Sequence, residues 1–254
     1  MLVDSHAHIY KEYYKDINAI VESAKESSVL KIINCATSIG NIEEVIEISR
    51  RHNFYYALGI HPEDANKFNV EDKLKLEKYI IDNLNDKRFV AIGEIGLDYY
   101  YGKESKDRQI ELMEYQVRLA EKYDKAVIIH SREATQDTIN ILKKYKVKGV
   151  IHCFSGSYET ACEYIKMGYV IGIGGLITFK NCNLKNYITK IGIENIILET
   201  DSPYMTPEPY RGKTNEPKFI LETAKFLSKI FNISVEKIGK ITTKNCYKIF
   251  DIKE

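Results

Sequence analysis

Charge of one sign is scarce in this 254-residue chain: 37 Lys and Arg stand against 36 Asp and Glu, a net +1 with 29% of residues charged. That balance excludes the basic field over a whole surface that nucleic-acid-binding domains often carry, so any polyanion must be attracted locally. Paired cysteines are missing as well. Cys35, Cys153, Cys162, Cys182 and Cys246 form no C-x-x-C pair, and an odd count in a chain with a large core reads as buried free thiols in a reducing compartment. No apolar run approaches the roughly 18 residues a membrane span requires. The start, Met1-Leu2-Val3-Asp4, has no basic-then-apolar leader, so the expectation is a cytoplasmic protein with no membrane partner. There is also no low-complexity tract, no Pro/Gly/Ser linker and no tandem repeat. A domain boundary has nothing to stand on, and residues 1–254 are expected to form a single catalytic domain.

What is present is alternation. Short β-branched runs lie near 1–9, 29–35, 54–59, 89–93, 126–130, 147–153, 169–173 and 195–199, and amphipathic stretches separate them. The clearest helix is predicted over 105–123, where Ile110, Met113, Val117, Ala120 and Tyr123 recur at three- and four-residue steps and so share a face. Strands separated by helices of this length favour parallel βαβ units. Eight of them in roughly 250 residues predict an α/β fold, a single TIM-like (β/α)8 barrel. Extra C-terminal helices are expected near 216–230 and 234–250, covering the barrel from outside, with Asn232 and Ser234 as caps.

Metal-ligand residue types recur where these apolar runs end. His6 and His8 close the first, His61 follows the third, Glu94 the fourth, His130 ends the fifth, His152 the sixth, and Asp201 follows the eighth. Alternate side chains of a strand share a face, so His6 and His8 can grip one cation. In a closed parallel barrel the whole set converges at the C-terminal mouth, where such barrels keep their active sites. A lone histidine at a strand end is more often a hydrogen-bonded core residue; here five of the six in the chain follow one pattern. The sixth, His52, falls at a predicted helix end and is expected to be solvated and favoured by the helix dipole.

The set suggests two divalent ions. His6, His8 and Asp201 can hold one, His130 and His152 the other, and Glu94 can bridge them through its two oxygens. Such a pair orients and activates a water, with Asp201 available as general base and Glu94 and Asp201 as the catalytic carboxylates. Two divalent ions less two carboxylates leave about +2, which favours an anionic substrate such as a phosphodiester. Local positive charge is sought in Pro207–Pro217, where Arg211 can fork onto a phosphate or pair with a neighbouring carboxylate, and Lys213 adds a less directional charge. Tyr204 and Tyr210 can stack on bases. Asp98 is a candidate for orienting a ligand, and Arg132 either contacts substrate or braces Glu133. Four histidines favour Zn²⁺, Mn²⁺ or Co²⁺ over Mg²⁺.

At these residues the chain resembles the TatD family of metal-dependent deoxyribonucleases, within the amidohydrolase-like barrels. The resemblance is carried by Asp4-Ser5-His6-Ala7-His8, Gly59-Ile60-His61-Pro62, the run from Ala91 to Tyr99, Ile129-His130-Ser131-Arg132, His152-Cys153-Phe154-Ser155-Gly156, Gly172-Ile173-Gly174-Gly175, Glu199-Thr200-Asp201-Ser202-Pro203 and the Pro209–Pro217 stretch. It implies a TIM-like barrel hydrolysing ester bonds in DNA, a 3′–5′ exonuclease preferring single strands, with Mg²⁺ or Mn²⁺ as supporting ions. It also implies metal roles for His6, His8, Glu94, His130, His152 and Asp201, and a place facing substrate phosphate for His61. Lys125-Ala126 stands where many relatives have a proline, a departure at strand entry. Two rival readings are a related hydrolase of a small molecule or an aminoacyl-RNA ester, and a binding barrel with a vestigial site, which the intact ligand set disfavours. No obligate protein partner is inferred.

Overall fold

The computed structural model describes residues 1–253. Eight strands form one parallel sheet in sequence order: β1 (Leu2–Ala7), β2 (Val29–Cys35), β3 (Tyr55–Leu58), β4 (Phe89–Asp98), β5 (Ala126–Arg132), β6 (Gly149–Ile151), β7 (Tyr169–Ile173) and β8 (Ile196–Leu198). Helices α1 (Ile17–Glu26), α2 (Ile42–His52), α3 (Val70–Asn83), the one-turn α4 (Tyr99–Gly102), α5 (Lys106–Lys122), α6 (Thr135–Leu142), α7 (Tyr158–Lys166) and α8 (Ile188–Ile191) fill the crossovers. After β8 come α9 (Ile220–Phe231) and α10 (Val235–Ile249). Closure runs through the last and first strands, where Asp201 N donates to His6 O at 2.9 Å and His8 N to Ser202 O at 2.8 Å. The Asp4 carboxylate ties the same seam, accepting from Thr200 N at 2.9 Å and Thr200 Oγ1 at 2.6 Å. The seam therefore brings Asp201 beside His6 and His8, which lie almost 200 positions earlier.

Two apolar layers follow from the strand alternation. One lies between strands and helices and includes Ile32, Leu58, Ile92, Val127, Ile171 and Leu198. The other fills the barrel interior with Val3, Ile33, Ala91, Ile128, Val150 and Ile197, joined by Cys246, Ile249 and Phe250 from the end of the chain. The expectation for the C-terminal helices is thus half corrected. Ile220, Ala224 and Leu227 of α9 pack in the outer layer, but the end of α10 turns under the barrel and closes its N-terminal mouth with side chains, as a packed rather than hollow interior demands. Ser234 caps α10, accepting from Lys237 N, whereas Asn232 is the left-handed C-cap of α9 with φ 51°.

Three further expectations shift. β4 and β5 pair well past the barrel rim, from Ile95↔Ile129 to Asp98↔Arg132, so Glu94 and His130 sit inside strands rather than at their ends. Among the thiols only Cys35 and Cys246 are buried; the other three are half-buried, and all five are free. His52 is half-buried beside Phe54, and burial, with Arg51 and Lys25 nearby, lowers its pKa instead of the helix end raising it. The Lys125 departure is legible too: its backbone N–H donates to Ala120 O at 2.9 Å and its ammonium to Phe89 O at 3.0 Å, neither of which a proline provides.

Where β3 and β4 enter the barrel, Asp86 accepts from Arg88 Nε at 2.9 Å, Arg50 Nε at 3.1 Å and Tyr56 Oη at 3.1 Å. Burial pushes its carboxyl up, but the Arg88 side chain and backbone, then Arg50 and Tyr56, outweigh it and hold the group well below the usual carboxylate range. A depressed folded-state pKa stabilises above the unfolded value of about 3.9 and is lost as pH falls toward the folded one. Asp86→Asn is therefore expected to cost about 1 kcal/mol at pH 7, at the low end because both guanidinium groups are partly in water. The difference from the parent in urea unfolding should shrink below about pH 4; a gap that widens in acid would refute this account.

Candidate metal centre

Two strand irregularities aim the central residues. Between Asp4 and Ala7 in β1, and between Ile92 and Ile95 in β4, one strand advances three residues while its neighbour advances two. An extra residue of this kind re-aims the side chains beside it, and here it turns His6 and Glu94 into the barrel mouth. Gly96 lets the ribbon continue: its φ is +149°, and an added Cβ would lie 1.9 Å from His130 O.

The mouth holds one carboxylate with two occupied sides. Glu94 Oε2 lies 3.4 Å from both His6 Nε2 and His8 Nε2, and Asp201 Oδ1 lies 3.6 and 3.5 Å from the same nitrogens. Glu94 Oε1 lies 2.8 Å from His152 Nε2 and 3.0 Å from His130 Nδ1. His152 also borders the first group, with its ring stacked on His6 at 4.0 Å and its donor grouped with those of His6 and Asp201. All six residues expected to ligate metal are thus gathered in one place. They line, with His61, Asp98 and Tyr204, a cavity of about 620 Å³, except that His6 lies just beneath it.

The donor set fits cations. His8 Nδ1 lies 2.8 Å from the Tyr10 hydroxyl, which donates to the Cys35 carbonyl, and 3.2 Å from that carbonyl itself, so the ring proton sits on Nδ1 and the Nε2 lone pair points into the site. His130 Nε2 faces the Asp98 carboxylate at 3.0 Å, which leaves its Nδ1 lone pair directed at Glu94 and His152. His6 Nε2 and His8 Nε2 stand 3.1 Å apart. Lone pairs and carboxylate oxygens this close repel unless positive charge lies among them, and imidazole with carboxylate is the ligand mixture of divalent transition metals. Burial pushes the Glu94 and Asp201 carboxyls up, but the surrounding histidines prevail and hold both below the usual range, so both stand as anions.

His61 differs from the others. Its Nδ1 accepts from Glu63 N at 3.3 Å, so in the neutral ring Nε2 carries the proton, 3.6 Å from Glu94 Oε1. Burial lowers its pKa to about 4. An Nε2–H suits hydrogen bonding to an anion better than metal ligation. Asp98 bonds His130 with one oxygen and caps α4 with the other, accepting from Tyr100 N and Tyr101 N.

The positive charge expected from the Pro207–Pro217 loop is elsewhere. Arg211 lies 3.9 Å over the Phe179 ring and Lys213 5.4 Å over Tyr210, itself stacked on Phe219, and none of these lines the cavity. Arg132 does line it, stacked on Tyr100 at 3.8 Å rather than bracing Glu133. Tyr204 is half exposed at the rim, with its hydroxyl 2.9 Å from that of Tyr13. Residue reasoning missed Cys35, whose Sγ sits 3.5 Å from His6 Nδ1, and Asp4, whose carboxyl burial pushes up to about 8. It also passed over Glu199, fully buried 3.7 Å from His152 Nδ1. A carboxylate closing the apolar β8 run was the available signal. Gly172 opposite leaves it room, since a Cβ there would meet Glu199 Oε2 at 2.3 Å.

Comparison with known proteins places this geometry among relatives. Residues 3–251 match the family described as TatD related DNase. YabD of Bacillus subtilis, named an uncharacterized metal-dependent hydrolase, is 37% identical over 258 residues, covering 99% of this chain and all of that protein. The human protein named deoxyribonuclease TATDN3 is 32% identical, covering 98% of this chain and 94% of its own. Among solved structures, the TatD homolog YJJV of Escherichia coli K12 superposes with a TM-score of 0.93 at 29% identity, covering 99% of this chain and 98% of that one.

Proposed function

The chain belongs to the family of TatD related DNases, and on that footing we propose that this metal-dependent hydrolase cleaves phosphodiester bonds in DNA, as a 3′–5′ exonuclease on single strands. The observation that carries the reading is the division of Glu94, with His6 and His8 facing one oxygen, Asp201 beside those two rings, and His130 and His152 facing the other. These residues would hold two divalent ions, Mg²⁺, Mn²⁺ or Zn²⁺, with the nitrogen-rich set favouring the latter two. Ions held there would supply a nucleophilic water at neutral pH and polarise a phosphoryl oxygen. Asp201 would serve as the base that accepts a proton from the attacking water. His61 donates Nε2–H to a phosphate oxygen, and Tyr204 offers its exposed ring to a base. Arg211 and Lys213 meet phosphates beyond the cavity, on the loop that Asn215 anchors to Thr200 O at 2.8 Å.

End-labelled single-stranded DNA and an aminoacyl-RNA, each incubated with the protein and Mn²⁺, test this directly. Progressive shortening from the 3′ end is the expected result. Inertness toward DNA with release of the amino acid would reassign the activity to carboxylic esters.

Asp98→Asn is expected to weaken the His130 side without emptying the cavity. A carboxylate bonded to a ligating imidazole contributes about 10–100-fold in metal affinity or activity, and asparagine keeps the α4 cap. The Mn²⁺ concentration for half-maximal hydrolysis should rise by about that factor, with rate recovering at saturation. An unchanged metal requirement would remove Asp98 from the scheme.

A further inference from the structure

Beside the first cavity lies a second, of about 280 Å³, and the two share Arg132 and His152 as lining. Its chemistry is that of an anion site. Arg132 stands in the wall between the two cavities, its guanidinium 3.8 Å over the Tyr100 ring and 4.8 Å from that of Tyr101, which lines the first, and among the described residues that guanidinium makes no ion pair or hydrogen bond. Tyr164, 1% exposed, is also in the lining, with a hydroxyl that has no partner in hydrogen-bonding geometry although Ser131 lies beside it. A buried hydroxyl left unpaired is unfavourable, and a ligand oxygen would satisfy it. The start of α6 opens onto the same space through Thr135 without a capping side chain, leaving N–H groups that favour an anion. The acidic residue in that first turn, Asp137, is already engaged by Lys106 at 2.7 Å and Tyr99 at 2.8 Å. Glu133 is the one carboxylate in the lining. At this volume the space falls below the roughly 300–1,000 Å³ of small-molecule sites, which suits a phosphate group and not a whole nucleotide.

We propose that this second cavity is a phosphate subsite, holding the phosphate next in line to the one being hydrolysed, with Arg132 and Tyr164 as its binding groups. The inference rests on the phosphodiesterase reading above. It makes the enzyme a reader of two consecutive phosphates.

Two measurements test it on the full chain. In the first, the Mn²⁺-loaded protein is given thymidine dinucleotides with and without a 5′-phosphate, and bis(4-nitrophenyl) phosphate, which has one phosphate only. The parent should favour the phosphorylated dinucleotide about tenfold through KM, as expected for a charge-assisted contact. Tyr164→Phe should erode that preference while turnover of the single-phosphate ester stays within about twofold, and Arg132→Gln, which also lines the first cavity, should cost more on the phosphorylated dinucleotide than on the ester. Equal losses on all three substrates, or none, would overturn the assignment. In the second, inorganic phosphate is titrated calorimetrically into protein kept metal-free by chelator, where the ions cannot bind it. Binding weakened about tenfold by Arg132→Gln supports the subsite; absent binding, or binding indifferent to both variants, refutes it. If the parent cleaves no phosphodiester, the functional reading fails and the calorimetry still decides on the site.

Discussion

Glu94→Ala should abolish hydrolysis, with kcat/KM down by about 10⁴ or more, and should cut bound Mn²⁺ from the proposed two equivalents to below one. One oxygen of Glu94 faces each group of ligands. Its two oxygens stand 2.8 to 3.4 Å from nitrogens of His6, His8, His130 and His152, and its charge offsets part of that of any ions bound there. Without it, two ions would lie in a buried mouth with Asp201 as the remaining nearby anion of the set, and such burial of uncompensated charge is strongly unfavourable. Metal content by elemental analysis and hydrolysis of labelled single-stranded DNA check the two halves separately. A variant that keeps both equivalents of metal, or more than a tenth of the parent's rate, would break the bridging assignment.

Asp201→Asn should separate chemistry from metal retention. The substitution keeps the size of the side chain and a carbonyl oxygen toward His6 and His8, now 3.6 and 3.5 Å from Oδ1, but removes the group that takes up a proton. Loss of a general base typically lowers the rate by about 10²–10⁴. Metal content should remain near the parent's, since His6, His8 and Glu94 are untouched. The opposite pattern, metal lost and rate restored by excess Mn²⁺, would make Asp201 a ligand alone. Its backbone is unusual, with φ +57°, and asparagine tolerates the left-handed region, so the fold should persist by circular dichroism.

The legible part of the fold was the part set by local rules. Runs such as Val29–Cys35 and Tyr169–Ile173 are strands in the structure with the same limits, and the helix predicted over 105–123 is Lys106–Lys122, because apolar periodicity reports which face of an element is covered whatever covers it. Elements whose limits depend on a neighbour moved. β4 and β5 outlast their apolar runs by bonding to each other, and Phe250 reaches the barrel floor, a contact that no pattern within α10 encodes. Charge was read least well for the same reason. Arg211 and Lys213 stood out in a loop close to the last strand, yet their cations settle on nearby rings, while Arg132, which left two readings open, lines the mouth.

By itself, then, the order of residues determined the alternation of eight strands and helices, and which donor types stand where the apolar runs finish, since both follow from spacing along the chain. Only the closed barrel decided how the donors divide. The β1–β8 seam sets Asp201 beside His6 and His8, extra residues in β1 and β4 turn His6 and Glu94 inward, and the Cys35 carbonyl and the Asp98 carboxylate choose which ring nitrogens are free. Each of these depends on atoms remote in sequence meeting within hydrogen-bond reach, and that distance exists only once the chain has folded.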